Sequence, residues 1–176
     1  MRLFDFFRSR KKNAKNNLPK ANDSSYNQNL SWVDTQYISD PKQKEAELLK
    51  IERNTNDVIS LHFTYNQLID LYYKQRDEWG NALENCKKYC IKSIEHTPKF
   101  LSKDKRDHEK LYDGERAEYT PPLIPSFKRL AIIYEKEKRY GDAIEVCKKA
   151  LRFNLRDGTK GGFEGRIQRL KKKQMK

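Results

Sequence analysis

Three cysteines and three histidines are the residues of this chain best suited to bind a metal or to catalyse a reaction. Cys86 and Cys90 stand four residues apart, and two thiolates on one helical face could bind a metal. A tetrahedral site needs two further ligands, and no second cysteine pair or neighbouring histidine supplies them. His62, His96 and His108 are scattered and form no Ser/His/Asp pattern. We therefore expect no metal, no cofactor and no enzymatic activity.

A glycine-rich segment, residues 158–166, offers a different chemistry. Backbone N–H groups that open a helix attract anions, and Lys160 and Arg166 would add positive charge there. The segment lacks the Gly-Lys-Ser/Thr ending of a phosphate-binding P-loop, and no strand precedes it. The same residues are typical of a turn after a helix, with Gly158 as its left-handed cap. Both interpretations stay open: an anion site at Lys160 and Arg166, or a turn between helices.

An internal repeat indicates which elements position these residues. Residues 79–88 return as residues 140–149, with six of ten positions identical at a fixed offset of 61. In each copy an apolar helix leads to an aromatic-Gly pair, and a second apolar helix follows. A helix–turn–helix unit that recurs at a fixed offset predicts stacked hairpins. We therefore expect an all-α fold of antiparallel helical hairpins, an α-solenoid with two recognisable repeats and flanking helices.

The second copy resembles a tetratricopeptide repeat. The positions that match the family pattern are Phe127, Leu130, Ala131, Tyr134, Tyr140, Ala143, Cys147 and Ala150. The first copy keeps Ile69, Tyr73, Trp79, Ala82 and Cys86, and departs from the pattern at Asn66, Asp70 and Tyr89. The resemblance covers residues 57–96 and 121–155, and it implies a function in binding other proteins.

In the family that this chain resembles, ligands usually lie in a concave groove lined by the first helix of each hairpin. Carried over to this sequence, the groove would present Gln67, Leu71, Lys74, Lys128, Ile132 and Glu135. Such a mixture of apolar and basic side chains suits an acidic-apolar peptide or helix. The resemblance therefore implies a non-catalytic scaffold or adaptor that binds a protein or peptide.

Composition and periodicity divide the chain in two. Residues 1–31 are basic, rich in Asn, Lys and Ser, and without a helical period, which predicts a disordered tail. Residues 32–176 form the predicted helical domain. Within it an insertion, residues 97–122, separates the repeats as either an extended helix or a functional loop. A basic helix, residues 163–175, is predicted to cap the array.

The pattern also places the individual helices. One helix is expected after Asp40, with Pro41 in its first turn. The predicted hairpin helices are 57–76 and 81–95 in the first repeat, and 124–138 and 141–154 in the second. Each hairpin would thus turn at its aromatic-Gly pair.

The net charge of +13 is concentrated at the two ends of the chain. Residues 1–20 and residues 160–176 each carry seven Lys/Arg and one acid, whereas the residues between them carry 24 basic and 23 acidic side chains. Two alternative functions follow. The basic tails could associate with nucleic acid. Residues 1–12, where phenylalanines adjoin lysines, could instead make a peripheral contact with a membrane surface.

Cysteine usage and hydropathy bear on the compartment. An odd number of cysteines within helices predicts free thiols, which fit a reducing cytoplasm. No stretch approaches the roughly twenty apolar residues that span a bilayer. The apolar run at the N-terminus is also too short for a secretory signal. We therefore expect a cytoplasmic protein.

Overall fold

The computed structural model describes residues 30–112 and 118–175, and these contain helices but no strand. In chain order the elements are a 3-10 helix (Asp34–Tyr37), α1 (Pro41–Asn54), α2 (Val58–Lys74), α3 (Ala82–Leu111), α4 (Pro125–Lys136), α5 (Tyr140–Arg152) and α6 (Gly162–Gln174). The prediction of an all-α fold is confirmed for this part of the chain. The predicted tail lies outside the described residues as far as residue 29, and so does the whole of the proposed membrane-contact segment.

Two aspartates determine where α1 and α2 begin. Asp40 Oδ2 accepts a hydrogen bond from the backbone N–H of Gln43 at 2.8 Å, and Pro41 follows as the first helical residue. Asp57 Oδ2 accepts from the backbone N–H of Ser60 at 2.7 Å in the same manner. This hydrogen bond lowers the pKa of Asp57. The polar residues 54–57 therefore end one helix and start the next.

The first repeat folds as an antiparallel hairpin of α2 and α3. Near the turn, the Cys86 thiol lies 3.5 Å from the carbonyl oxygen of Ile69, late in α2. At the far end, His96 Nε2 lies 2.9 Å from the carbonyl oxygen of Val58, the first residue of α2. Because early residues of one helix meet late residues of the other, the two helices run in opposite directions.

The second repeat, α4 and α5, folds in the same way. The ring of Phe127, near the start of α4, contacts the ring of Phe153, which directly follows α5, at 6.2 Å between centroids. Ala131, Ala143 and Ala150 are completely buried. Their small side chains let the two helices approach closely.

Each α-helix packs against the next one along the chain, and α2 also touches α4. The buried side chains of all six helices belong to one continuous apolar core. The first helices of the two repeats are therefore neighbours, which places their outward residues on a shared face.

Helix α3 is longer than the sequence predicted, since it continues past residue 95 to Leu111 and contains Pro98. The ring of Phe100 stacks on the buried ring of His62 in α2 at 3.6 Å between centroids. The hydroxyl of Tyr119 donates to Asp104 Oδ2 at 2.9 Å. The first part of the insertion is thus a helical extension, and Tyr119 returns along it.

The turn between α5 and α6 corrects another expectation. The left-handed residue after α5 is Asn154, at φ 54°. Its N–H donates to the Leu151 carbonyl at 2.9 Å, and the N–H of Leu155 donates to the Ala150 carbonyl at 3.1 Å. This double hydrogen bond is a Schellman cap. Gly158 is also left-handed, at φ 76°, but it lies four residues further along the turn.

Candidate functional site

Two of the residues predicted to line the groove are engaged within the fold. The Gln67 amide donates to the carbonyl of Trp32 and accepts from the hydroxyl of Thr35 at 3.0 Å. It therefore holds the 3-10 helix against α2. Leu71 is only 7% exposed and belongs to the apolar core. Neither side chain is available to an incoming ligand in this arrangement.

Three further predicted residues meet in one polar cluster between α4, α6 and the turn before α6. Arg166 Nη1 lies 3.5 Å from Glu135 Oε2, and its Nη2 lies 3.5 Å from Asp157 Oδ2. Lys173 Nζ lies 2.7 Å from Glu135 Oε1. Lys128 Nζ donates to the carbonyl oxygen of Asp157 at 3.1 Å. We call these five residues the Arg166 network.

The pair at the centre of the Arg166 network, Arg166 and Asp157, is charged but closed to solvent. The side chain of Asp157 is completely buried, and that of Arg166 is 9% exposed. Burial favours the neutral form of Asp157, but hydrogen bonds from the hydroxyl and N–H of Thr159 lower its pKa, helped by the Arg166 and Lys128 charges. The carboxylate therefore stays ionised and compensates the guanidinium.

The predicted anion site is not brought together. Lys160 is exposed, whereas Arg166 is buried among carboxylates. An external anion would have to compete with Glu135 and Asp157 for a guanidinium that solvent barely reaches. The segment around residue 160 serves as the turn into α6.

The remaining predicted cation, Lys74, belongs to a second cluster, on the face shared by α1, α2 and α4. Asp70 Oδ1 lies 3.5 Å from Arg129 Nη2, and its Oδ2 lies 3.9 Å from Lys74 Nζ. The guanidinium of Arg129 lies 3.7 Å from the centre of the Tyr73 ring. The pKa of Lys44 is lowered, first by partial burial and second by the positive charge of Lys74. The negative charge of Asp70 acts in the opposite direction and raises it. Lys44 of α1 thus adjoins the same group.

Two more cations approach the same tyrosine. Arg76 lies 4.6 Å and Lys136 5.9 Å from the centre of the Tyr73 ring. Arg76 also pairs with Asp77 at 3.1 Å. We call the whole group the Tyr73 cluster: Lys44, Asp70, Tyr73, Lys74, Arg76, Asp77, Arg129 and Lys136. Its five cations and two carboxylates leave a net charge of +3.

Of the Tyr73 cluster, the predicted groove contained Lys74 alone. It lacked Arg129 because it placed the α4 cation at the neighbouring Lys128. Arg129 immediately precedes the buried residues Leu130 and Ala131, so it lies at the edge of the apolar face. An arginine at such an edge can lay its stem along apolar surface and keep its head in water. That position is the sequence feature that could have identified Arg129.

Ile132 is half-buried on α4, close in sequence to both clusters. Among residues 30–112 and 118–175, no group of three or more His, Cys, Asp or Glu side chains is arranged to hold a metal ion. In the same ranges, every helix is too short or too polar to cross a membrane.

No family model, no curated protein and no solved structure matches this chain.

Proposed function

We propose that this chain is a protein-interaction module built of stacked helical hairpins of the tetratricopeptide-repeat type. In this proposal it binds a peptide or a helix on the face formed by α2 and α4, and it acts as a scaffold or adaptor without catalysis.

The repeat and its packing support this proposal together. The first aromatic-Gly pair lies in the turn between α2 and α3, and the second opens α5 directly after the turn from α4. The first helices of the two hairpins, α2 and α4, are in contact. Stacked hairpins usually expose such first helices on a concave face, where extended partners bind.

The Tyr73 cluster is the observation that carries the proposal. It spans α1, α2 and α4, and its charged ends are accessible: the Lys74 and Asp70 side chains are 74% and 60% exposed. The cations exceed the carboxylates around them, so the surface has unused capacity for hydrogen bonds and charge. Of the six residues predicted to line the groove, the proposed binding surface keeps Lys74. It adds Arg129 and Tyr73.

The proposal is tested by selecting binders from a random peptide library displayed on phage, with the full chain as bait. Amide hydrogen exchange is then measured with and without each selected peptide. We expect slower exchange in α2 and α4. Protection confined to other helices, or a selection that yields no binder, would contradict the proposed function.

A pair of charge reversals sharpens this test. Lys74→Glu combined with Arg129→Glu is expected to weaken the binding of the selected peptides by about tenfold or more. The double variant removes two attractive charges and adds two repulsive ones. Lys148→Glu is the control, because Lys148 is an exposed lysine on α5 that pairs with Glu145. Equal losses in both variants would show a non-specific charge effect.

A further inference from the structure

Within the Tyr73 cluster, the carboxylate of Asp70 lies between Arg129 and Lys74 but is held weakly. Its oxygens lie 3.5 Å from Arg129 Nη2 and 3.9 Å from Lys74 Nζ. A tight pair between a cation and a carboxylate has a separation of about 2.7–2.9 Å. The Asp70 side chain is also 60% exposed. The Asp70 carboxylate can therefore leave these cations and remain solvated.

The cations around Asp70 have more donors than this one carboxylate can use. The guanidinium of Arg129 carries five N–H donors in a planar fork that matches a carboxylate in two-point contact. Lys44 and Lys74 lie close enough to repel one another. A better-placed carboxylate would satisfy more donors and reduce this repulsion.

The aromatic ring in the cluster disfavours a nucleic-acid ligand. Proteins that bind single strands stack bases on open aromatic faces. Arg129 lies 3.7 Å and Arg76 4.6 Å from the centre of the Tyr73 ring, so cations already cover it. The ring serves to fix the guanidinium by a cation–π contact, with its fork directed to an acid.

We infer, on the basis of the proposed function, that the partner segment is acidic and that one of its carboxylates replaces Asp70 on Arg129 and Lys74. Asp70 then acts as an internal competitor that limits affinity and selects for a partner with an acid at that position. This role also accounts for an aspartate where the repeat pattern has a small residue.

Fluorescence anisotropy of the full chain tests this inference with two labelled peptides, one of glutamate and leucine and the other with glutamine in place of glutamate. The glutamate peptide is expected to bind at least about fivefold more tightly. Asp70→Asn is expected to increase the affinity for the glutamate peptide by about twofold to fivefold and to leave the affinity for the glutamine peptide unchanged.

Glu145→Gln is the matched control, because it removes one exposed acid from α5 and changes the net charge equally. Equal gains from Asp70→Asn and Glu145→Gln, or no gain from Asp70→Asn, would overturn the role of Asp70. Tighter binding of a labelled oligothymidine than of the glutamate peptide would overturn the acidic-peptide partner. Thermal melting of each variant verifies that the chain is folded.

The outcomes distinguish a failure of this inference from a failure of the proposed protein-interaction function. If both peptides slow exchange in α2 and α4 with equal affinity, the interaction module stands and the acidic partner is wrong. If peptides selected from the random library also leave that face unchanged, the proposed function itself is wrong.

Discussion

The Tyr73 cluster and the Arg166 network use the same groups in opposite ways. In each, an arginine lies 3.5 Å from an aspartate. Helix α4 contributes to both, through Arg129 in the first and Glu135 in the second. The Arg129 side chain is 27% exposed and its aspartate 60%, whereas Arg166 is 9% exposed and Asp157 completely buried. Burial, not distance, therefore distinguishes the pair that solvent reaches from the pair that the fold encloses.

The cost of removing one charge differs between the two clusters for the same reason. A buried charge that loses its partner keeps the penalty of its desolvation. An exposed charge that loses its partner is solvated by water, and little free energy changes. The Arg166 network should accordingly fasten α6 and the preceding turn to α4, while the Tyr73 cluster should contribute little to stability.

The largest expected effect is at Arg166. Arg166→Ala leaves Asp157 buried without its guanidinium, and we expect the free energy of unfolding to fall by about 3–5 kcal/mol. Urea denaturation followed by circular dichroism measures this change. Arg169→Ala, at an exposed position of α6, is the control and should cost less than about 1 kcal/mol. Equal losses would contradict a structural role for the network.

A buried histidine in the first repeat gives the next effect, as a dependence on pH. Burial, followed by the nearby charge of His96, lowers the pKa of His62 from 6.5 to about 3. Below pH 6.5 the unfolded chain binds a proton that the folded chain does not, so stability falls as the pH decreases. We expect a loss of about 2 kcal/mol between pH 8 and pH 5, measured by urea denaturation at each pH.

His62→Phe is the comparison for this pH dependence, because phenylalanine keeps a ring to stack on Phe100. The variant should lose most of the slope between pH 6.5 and pH 4, whatever its absolute stability. A slope equal to that of the unmodified chain would assign the pH dependence to other groups.

The smallest expected effect on stability is at Asp70. Asp70→Asn should change the free energy of unfolding by less than about 0.5 kcal/mol, because water replaces the lost contacts. The same urea measurement, performed at low and high salt, tests this expectation. A loss of the size expected for Arg166→Ala would place Asp70 with the structural charges and would weaken its role as a replaceable group.

The sequence predicts the fold best where the packing of the helices repeats. Phe127, Ala143 and Cys147 are completely buried, as their positions in the second copy predict. The spacing of apolar residues along a helix indicates which face is buried, so this part of the fold can be predicted from local sequence. The N-terminal caps at Asp40 and Asp57 are local as well, since each side chain bonds a backbone N–H three residues on.

The misplaced features depend on contacts between distant residues. The helix predicted over 81–95 continues to Leu111 and passes through Pro98, because the His62–Phe100 stack holds its extension against α2. The glycine-rich segment predicted that Arg166 could bind an anion. In the structure Arg166 pairs with Glu135 of α4 and with Asp157 of the preceding turn. The predicted groove contains Lys128, whereas it is the neighbouring Arg129 that faces α2. No local pattern contains these pairings.

The central claim, that burial divides the two arginines into a binding residue and a structural residue, is best tested on both at once. Arg129→Gln and Arg166→Gln are compared in one experiment that measures the dissociation constant for the glutamate–leucine peptide and the melting temperature of each full-length variant. We predict that Arg129→Gln weakens binding by at least about fivefold and keeps the melting temperature, while Arg166→Gln lowers the melting temperature by several degrees. Two variants that lose binding and stability in parallel would contradict the account.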